Sequence, residues 1–217
     1  MKYIVHAIGK IIAYLYTPKI SQKFRSITNH LYTGWLSKRL RVCKGIIECP
    51  VRIENPQNIS IGENVYIEKG VFLKAITERR DAIFHPSIEI GRDTYIQRDC
   101  LLYCIDSIKI GEGVGIAANT MITDNVHGDF RPGHMQFSIN EDIPDVFIQK
   151  LFERELYSAG PVVIEDNVHI GLGCIIMPGV TIGHDSIVNA RSVVTRSVPP
   201  YSIVSGNPAK IALTFSE

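Results

Sequence analysis

Two different spacings of apolar residues divide the chain at about residue 46. Before it, Ile4, Ile8, Ile11 and Leu15, and then Phe24, Ile27, Leu31 and Trp35, recur every three or four positions, the spacing of one helical face. Pro18 falls between the two runs, so the pattern predicts two helices. From about residue 47 the interval becomes six. Ile61, Ile67, Leu73; Ile90, Ile96, Leu102; Ile110, Ile116, Ile122; Ile164, Ile170, Ile176; and Ile182, Val188, Val194 each make a triplet. Small or β-branched residues stand four positions after many of these, as at Val65, Val71, Thr94, Val114, Thr120, Val168, Val180, Ser186 and Ser192, and can share an interior.

A repeat of this period predicts an all-β solenoid in which each triplet is one three-sided coil, since stacking buries aliphatics that no single coil could bury alone. Ile-Gly pairs at 61–62, 90–91, 110–111, 170–171 and 182–183 put glycine at corners, where a positive φ is expected. A sandwich of alternating strands would not hold a six-residue phase. The phase is unbroken from 164 to 194; elsewhere Leu73 to Ile90 exceeds one hexad by 11 residues, Leu102 to Ile110 by two and Ile122 to Ile164 by 36. The expected organisation is a basic helical arm over 1–46 that caps one end, a repeat domain over 47–212, and an inserted loop over 127–160, a length usually tied to function. Phe147, Leu151, Phe152 and Leu156 predict a short helix in that loop, able to cover a site and exclude water. Pro199 and Pro200 are expected to stop the last strand.

Composition sharpens this picture. At 217 residues, with 45% hydrophobic and 21% charged content, the chain is sized for one packed domain. Its net charge of +1 conceals an asymmetry: residues 1–46 carry nine bases and no acid, whereas the remainder carries 14 bases against 22 acids. A basic amphipathic arm can lie on an anionic membrane surface, or pack on the coils or a neighbouring subunit with its charges solvated. Residues 1–17 fall short of the roughly 20 apolar residues of a spanning helix. No small-residue cleavage motif follows them, so a cytoplasmic protein is expected, with peripheral membrane contact left open. Cys43, Cys49, Cys100, Cys104 and Cys174 contain no C-x-x-C pair and read as reduced, mostly core thiols. An acidic body without a binding motif argues against nucleic acid as a partner.

The most specific stretch is Pro161-Val-Val-Ile-Glu-Asp-Asn-Val-His-Ile-Gly-Leu-Gly-Cys-Ile-Ile-Met-Pro-Gly-Val-Thr-Ile-Gly-His-Asp-Ser, followed by Asn189-Ala-Arg-Ser-Val-Val-Thr-Arg and Pro199-Pro-Tyr-Ser-Ile-Val-Ser-Gly-Asn-Pro-Ala-Lys210. It resembles the ending of the hexapeptide-repeat acyltransferases, in their sugar and polysaccharide O-acetyltransferase branch, and the resemblance extends over roughly 47–212. It implies a left-handed parallel β-helix, against the general right-handed preference. It also implies a homotrimer with sites between subunits, and acetyl-CoA as acyl donor to a hydroxyl of a sugar or polysaccharide precursor.

The family's catalytic histidine stands where a long loop leaves the coils, and Ile122-Thr-Asp-Asn-Val-His127-Gly-Asp matches that place. Imidazole titrates near working pH and can take the acceptor's proton. Taken alone, a histidine at a loop root is more often a surface residue. The resemblance puts His169, Gly171, Leu172, Ala190 and Thr195 along the pantetheine arm, and Arg196 and Lys210 at the phosphates of CoA. Where the sugar enzymes commonly show an asparagine and an aspartate, this chain has Gln97 and Cys104; with Asp99 these are the candidates for acceptor contact. Their departure from the pattern leaves open an N-acyltransferase of an amino sugar, or another small acceptor. His134 is a weaker candidate in the loop. Two other functions occur on such repeats. A zinc carbonic anhydrase needs converging histidines, which His6, His30, His85, His127, His134, His169 and His184 do not suggest by spacing, so no metal is expected. A non-catalytic scaffold would have no reason to keep both His127 and the C-terminal run.

Overall fold

The computed structural model describes residues 18–129, 144–145, 149–150 and 153–215. Ile4, Ile8, Ile11, Leu15, His134, Phe147, Leu151 and Phe152 lie outside these residues, so the first predicted helix and most of the predicted loop helix do too.

Three parallel sheets are visited in rotation. The first holds β1 (Val42–Cys43), β4 (Ile59–Ile61), β9 (Ser87–Ile90), β12 (Ser107–Ile110), β17 (Val162–Ile164) and β20 (Thr181–Ile182). The second holds β2 (Ile46–Ile47), β5 (Tyr66–Ile67), β10 (Tyr95–Ile96), β13 (Gly115–Ile116), β18 (His169–Ile170), β21 (Ile187–Val188), β23 (Ser202–Gly206) and β24 (Ala209–Thr214). The third holds β3 (Arg52–Glu54), β6 (Phe72–Ala75), β11 (Leu101–Cys104), β14 (Met121–Thr123), β19 (Ile175–Ile176) and β22 (Val193–Val194). Stepping from sheet to sheet stacks the hexad residues in register: Ile61, Ile90, Ile110, Ile164 and Ile182 form one column, and Leu73, Leu102, Ile122, Ile176 and Val194 another. All are buried, and full burial of each such side chain contributes about 1.5–3 kcal/mol of transfer free energy. The expected second set is inside as well. From that set Val71, Thr120 and Ser192, together with the thiols Cys100 and Cys174, occupy equivalent corners of successive coils and are at most 1% exposed.

The Ile-Gly glycines are needed for a different reason from the one expected. Gly62, Gly91, Gly111, Gly171 and Gly183 do not have positive φ; that conformation falls two residues later, at Asn64, Asp93, Gly113, Gly173 and Asp185. Instead, the next coil passes too close for a side chain. A Cβ on Gly91 would sit 2.4 Å from the Gly111 carbonyl oxygen, and one on Gly171 2.5 Å from the Ala190 nitrogen.

The arm folds as α1 (Pro18–Ser37), with Pro18 at its first turn, where a missing N–H costs nothing. It caps the first coils. Leu36 and Leu40 join the core, Asn29 Oδ1 accepts the Cys49 N–H, Tyr32 donates to the Val51 carbonyl, and Thr33 Oγ1 accepts the Ile47 N–H. The apolar stripe points the other way: Phe24, Ile27, Leu31 and Trp35 are 51–70% exposed. At the far end the two prolines do not stop the coil. They form a corner against Gly183, and the chain continues into β23, which lies parallel to β21 and is closed by the antiparallel β24.

Both long interruptions of the hexad phase contain hairpins. The first pairs β7 (Glu78–Arg79) with β8 (Ala82–Ile83), and the second pairs β15 (Asn125–His127) with β16 (Leu156–Ser158). Leu156, expected in a helix, is therefore in a strand, where alternate residues face opposite sides.

Candidate active site

The chain leaves the third sheet after Thr123 through a buried acid. Asp124 is fully buried, and its carboxylate accepts the Ile105 N–H at 2.9 and 3.2 Å, the Asp106 N–H at 2.8 Å and the Asn125 side-chain amide at 3.0 Å. These contacts satisfy backbone donors where the strand departs from the sheet. Asn125 also reaches the Tyr103 carbonyl. Beyond it, His127 lies opposite Leu156 in the antiparallel ribbon, and Gly128, at φ +98°, donates to the Glu155 carbonyl at 2.8 Å. His127 is thus mounted on a paired strand.

The first insertion faces it. Arg79 Nη1 is 2.7 Å from His127 Nδ1. A guanidinium has only donors, so Nδ1 accepts and the imidazole hydrogen is on Nε2. Burial pushes the His127 pKa below its usual value, and the Arg79 and Arg154 charges push it the same way. The result favours the neutral ring, the form that a general base requires. Arg80 bridges to the Glu153 carbonyl at 2.6 Å, joining the two insertions. Between them is a cleft of about 540 Å³, with Glu54, Lys74, Tyr103 and Asn125 on its walls beside Arg79 and His127.

The other expected residues occupy different places. His169, Gly171, Leu172 and Ala190 cluster where the second sheet turns into the third: Gly171 abuts Ala190, and the Leu172 carbonyl accepts the Arg191 N–H at 2.8 Å. Leu172 and Ile187, the latter beside His169 in the sheet, are exposed apolar surface. Gln97 and Asp99 are at the same corner in an earlier coil, Gln97 accepting the Ala118 N–H at 3.1 Å. Thr195 and Arg196 are exposed just beyond β22, at the corner His127 leaves from, two coils further on. Lys210 is exposed in the final hairpin, opposite Ser205.

One chain therefore does not gather His127 and the corner of Gly171 into a single pocket, because the width of the third sheet separates them. Cys104 is a correction. It is fully buried and its thiol donates to the Ser87 carbonyl, so it presents nothing to an acceptor. Arg79, Lys74 and Tyr103 escaped the sequence reading; for Arg79 the signal was the 11-residue break before Ile90, which locates an insertion but not its fold, and Lys74 and Tyr103 are on the coil strands β6 and β11. Among the described residues no three potential metal ligands come together.

Three parallel sheets visited in rotation every six residues are the arrangement expected of a hexapeptide-repeat protein. Residues 161–196 match the family described as hexapeptide repeat of succinyl-transferase. The chain is 34% identical over 176 residues, 81% of each chain, to the putative lipopolysaccharide biosynthesis O-acetyl transferase WbbJ of Escherichia coli K12. It is 52% identical over 145 residues to a chloramphenicol acetyltransferase of Agrobacterium fabrum, covering 58% of this chain and 66% of that one. Among solved structures, a mutant of AntD, an N-acyltransferase from Bacillus cereus in complex with dTDP and coenzyme A, superimposes with a TM-score of 0.60 at 25% identity, over 79% of this chain and 82% of that one. The chain belongs to the hexapeptide-repeat acyltransferase family and is an acyl-CoA-dependent transferase.

Proposed function

We propose that the protein moves an acetyl group from acetyl-CoA to a hydroxyl of a sugar or polysaccharide precursor, with His127 as general base. The observation that supports this is the His127 imidazole on the wall of the cleft, where desolvation and the Arg79 and Arg154 guanidiniums disfavour its protonation. The His127 imidazole takes the hydroxyl proton as the oxygen bonds to the thioester carbonyl carbon; the C–S bond breaks, and the imidazolium returns the proton to the leaving thiolate. Such a base is worth about 10²–10⁴ in rate.

The donor fits the surface around Leu172, with Arg196 and Lys210 as exposed cations for its phosphates. The separation of that surface from His127 favours a left-handed β-helical homotrimer in which one subunit's histidine works beside another's CoA groove. Gln97 and Asp99 then belong to the groove side. An amino-sugar acceptor remains the second reading, favoured by the likeness to AntD. Peripheral membrane attachment of a cytoplasmic enzyme is favoured by α1, where the exposed stripe from Phe24 to Trp35 is flanked by the exposed cations Lys23, Arg25 and Arg39; no described helix is long and apolar enough to cross a membrane.

The test is acetyl transfer from acetyl-CoA to a panel of hexoses, amino sugars and oligosaccharides. Turnover on a hydroxyl acceptor, lost by at least about a hundredfold in His127→Ala with acetyl-CoA affinity retained, is expected. Equal turnover in the variant would overturn His127 as the base.

A further inference from the structure

The cleft at His127 runs lengthwise along the stack of coils. Glu54, Lys74 and Tyr103 on its wall are register partners in β3, β6 and β11, and Thr123, the partner of Tyr103 in β14, leads into the turn that carries Asn125 and His127. Parallel neighbours are about 4.8 Å apart, so three steps put that turn about 14 Å from the first coil. One end of the groove is therefore at His127 and the other is at the coil that α1 caps. Along it the half-buried Tyr103 ring, set edge-on to Phe72 at 5.4 Å, stands among the charged and amide groups of Glu54, Asn55 and Lys74. One aromatic surface with polar groups around it can hold a chain of sugar rings.

The capped end is also where the protein is basic. The stripe of Phe24, Ile27, Leu31 and Trp35 on α1 faces away from the coils, and the exposed cations Lys23, Arg25, Lys38 and Arg39 border it, Arg39 lying over the Trp35 ring at 4.1 Å. Residues 1–46 contain nine bases and no acid. Nearby acids are matched by bases: Arg41 pairs with Glu89 at 2.7 Å, Lys44 with Glu63 at 2.9 Å and Arg52 with Glu54 at 2.5 Å, and Glu48 shares a cavity beside α1 with Arg25 and Lys69. Packing this face on that of a second copy would bring like charges together. An anionic lipid surface instead accepts the apolar stripe about 5–10 Å deep with the bases at its phosphates.

We infer that the acceptor is a glycan anchored in an anionic lipid surface, which enters the groove at the end capped by α1 and reaches His127 with a sugar some way along its chain. This rests on the transferase and membrane readings above, and adds a class of substrate to them. Docking through α1 places the groove over the lipid surface, so that binding of an anchored glycan is a second, linked event at high effective concentration. The sugar nearest the anchor cannot react, because the groove and the thickness of α1, about 10 Å, separate it from His127.

The experiment uses the full-length protein and phosphatidylglycerol vesicles with brominated acyl chains. Trp35 is the single tryptophan, and bromine quenches an indole that it touches, so emission should fall with these vesicles and much less with brominated phosphatidylcholine. The best acceptor sugar of the panel above is then offered in three forms: free, linked directly to a phospholipid in the vesicles, and linked through a spacer long enough to cross α1 and the first three coils. The spacer-linked sugar should be acetylated with a kcat/KM about a hundredfold above that of the free one, and the directly linked sugar no better than the free one. Phe24→Ser with Leu31→Ser, or high salt, should remove the advantage. Equal rates for spacer-linked and free sugar, an equal advantage for the directly linked sugar, or an undiminished advantage in the double variant would overturn the inference. The possible failures are distinguishable. No transfer to any panel sugar would remove the proposed function and this inference with it, and unquenched Trp35 would remove the membrane reading. Transfer and quenching without a preference for the spacer-linked sugar would remove only the anchored acceptor.

Discussion

Replacing Asp124 by alanine removes the acceptor for two backbone N–H groups and one side-chain amide at the point where the chain leaves the third sheet. Ile105 is 5% exposed, so water does not replace the carboxylate there and its N–H bears the full cost of about 1–3 kcal/mol. Asp106 is exposed, and water can recover part of the second loss. The total is about 2–4 kcal/mol against a stability of roughly 5–15 kcal/mol for a domain, so the variant should fold and can be assayed. Urea unfolding should show a lower midpoint at an unchanged slope. Turnover should fall further than stability alone explains, since Asn125 and His127 hang from this turn and a shift of about 1 Å in a catalytic group can cost about 10²-fold. Asp124→Asn, which keeps one acceptor oxygen, should lose less on both counts. An alanine variant within about 0.5 kcal/mol of the parent, the range of an ordinary surface substitution, would refute the assignment of Asp124 as the anchor of the site.

Gly91→Ala should destabilise by at least about 1–3 kcal/mol, because its Cβ meets the Gly111 carbonyl oxygen at 2.4 Å, whereas Gly34→Ala, with nothing within 4 Å in α1, should gain about 0.5–1 kcal/mol; equal stabilities by urea unfolding would contradict the close-approach account of the corners. Arg79→Gln removes a charge that lowers the His127 pKa, so that pKa should rise and the acid limb of the rate profile should move to higher pH; movement to lower pH would show that the sign is wrong. Cys49 is exposed, while Cys100, Cys104 and Cys174 are buried and burial pushes the Cys100 thiol up to about 11. A thiol reagent at neutral pH should therefore modify Cys49 in the native protein and those three only on unfolding, as mapped by mass spectrometry.

The interior of this protein was legible because one side chain in six must face it, and the register of stacked coils preserves that phase. The columns through Ile61 and Leu73 follow directly. The corners were harder to read: Ile-Gly marks them, but sequence does not distinguish a glycine that needs positive φ from one that another backbone crosses, and here the second applies to Gly91 and Gly171. The stripe on α1 was correctly periodic yet did not indicate which face packs, since Asn29 and Thr33 dock through hydrogen bonds to the Cys49 and Ile47 backbone while Leu31 and Trp35 are exposed. Pro199 and Pro200 suggested an end where the chain only turns, because a corner residue owes no hydrogen bond to a ladder. In the candidate site, His127 was singled out by the family resemblance together with its place at an insertion. Arg79 was not, because its approach depends on how an 11-residue interruption folds back over a strand distant in sequence.

The most direct test of the account is acetyl-CoA binding measured by calorimetry on the intact protein and on Arg196→Ala, since it needs no knowledge of the acceptor. One site per subunit, weakened by about tenfold when the cation is removed, is the expected result. Absence of binding in the intact protein would contradict acetyl-CoA as the donor, and with it the role proposed for His127.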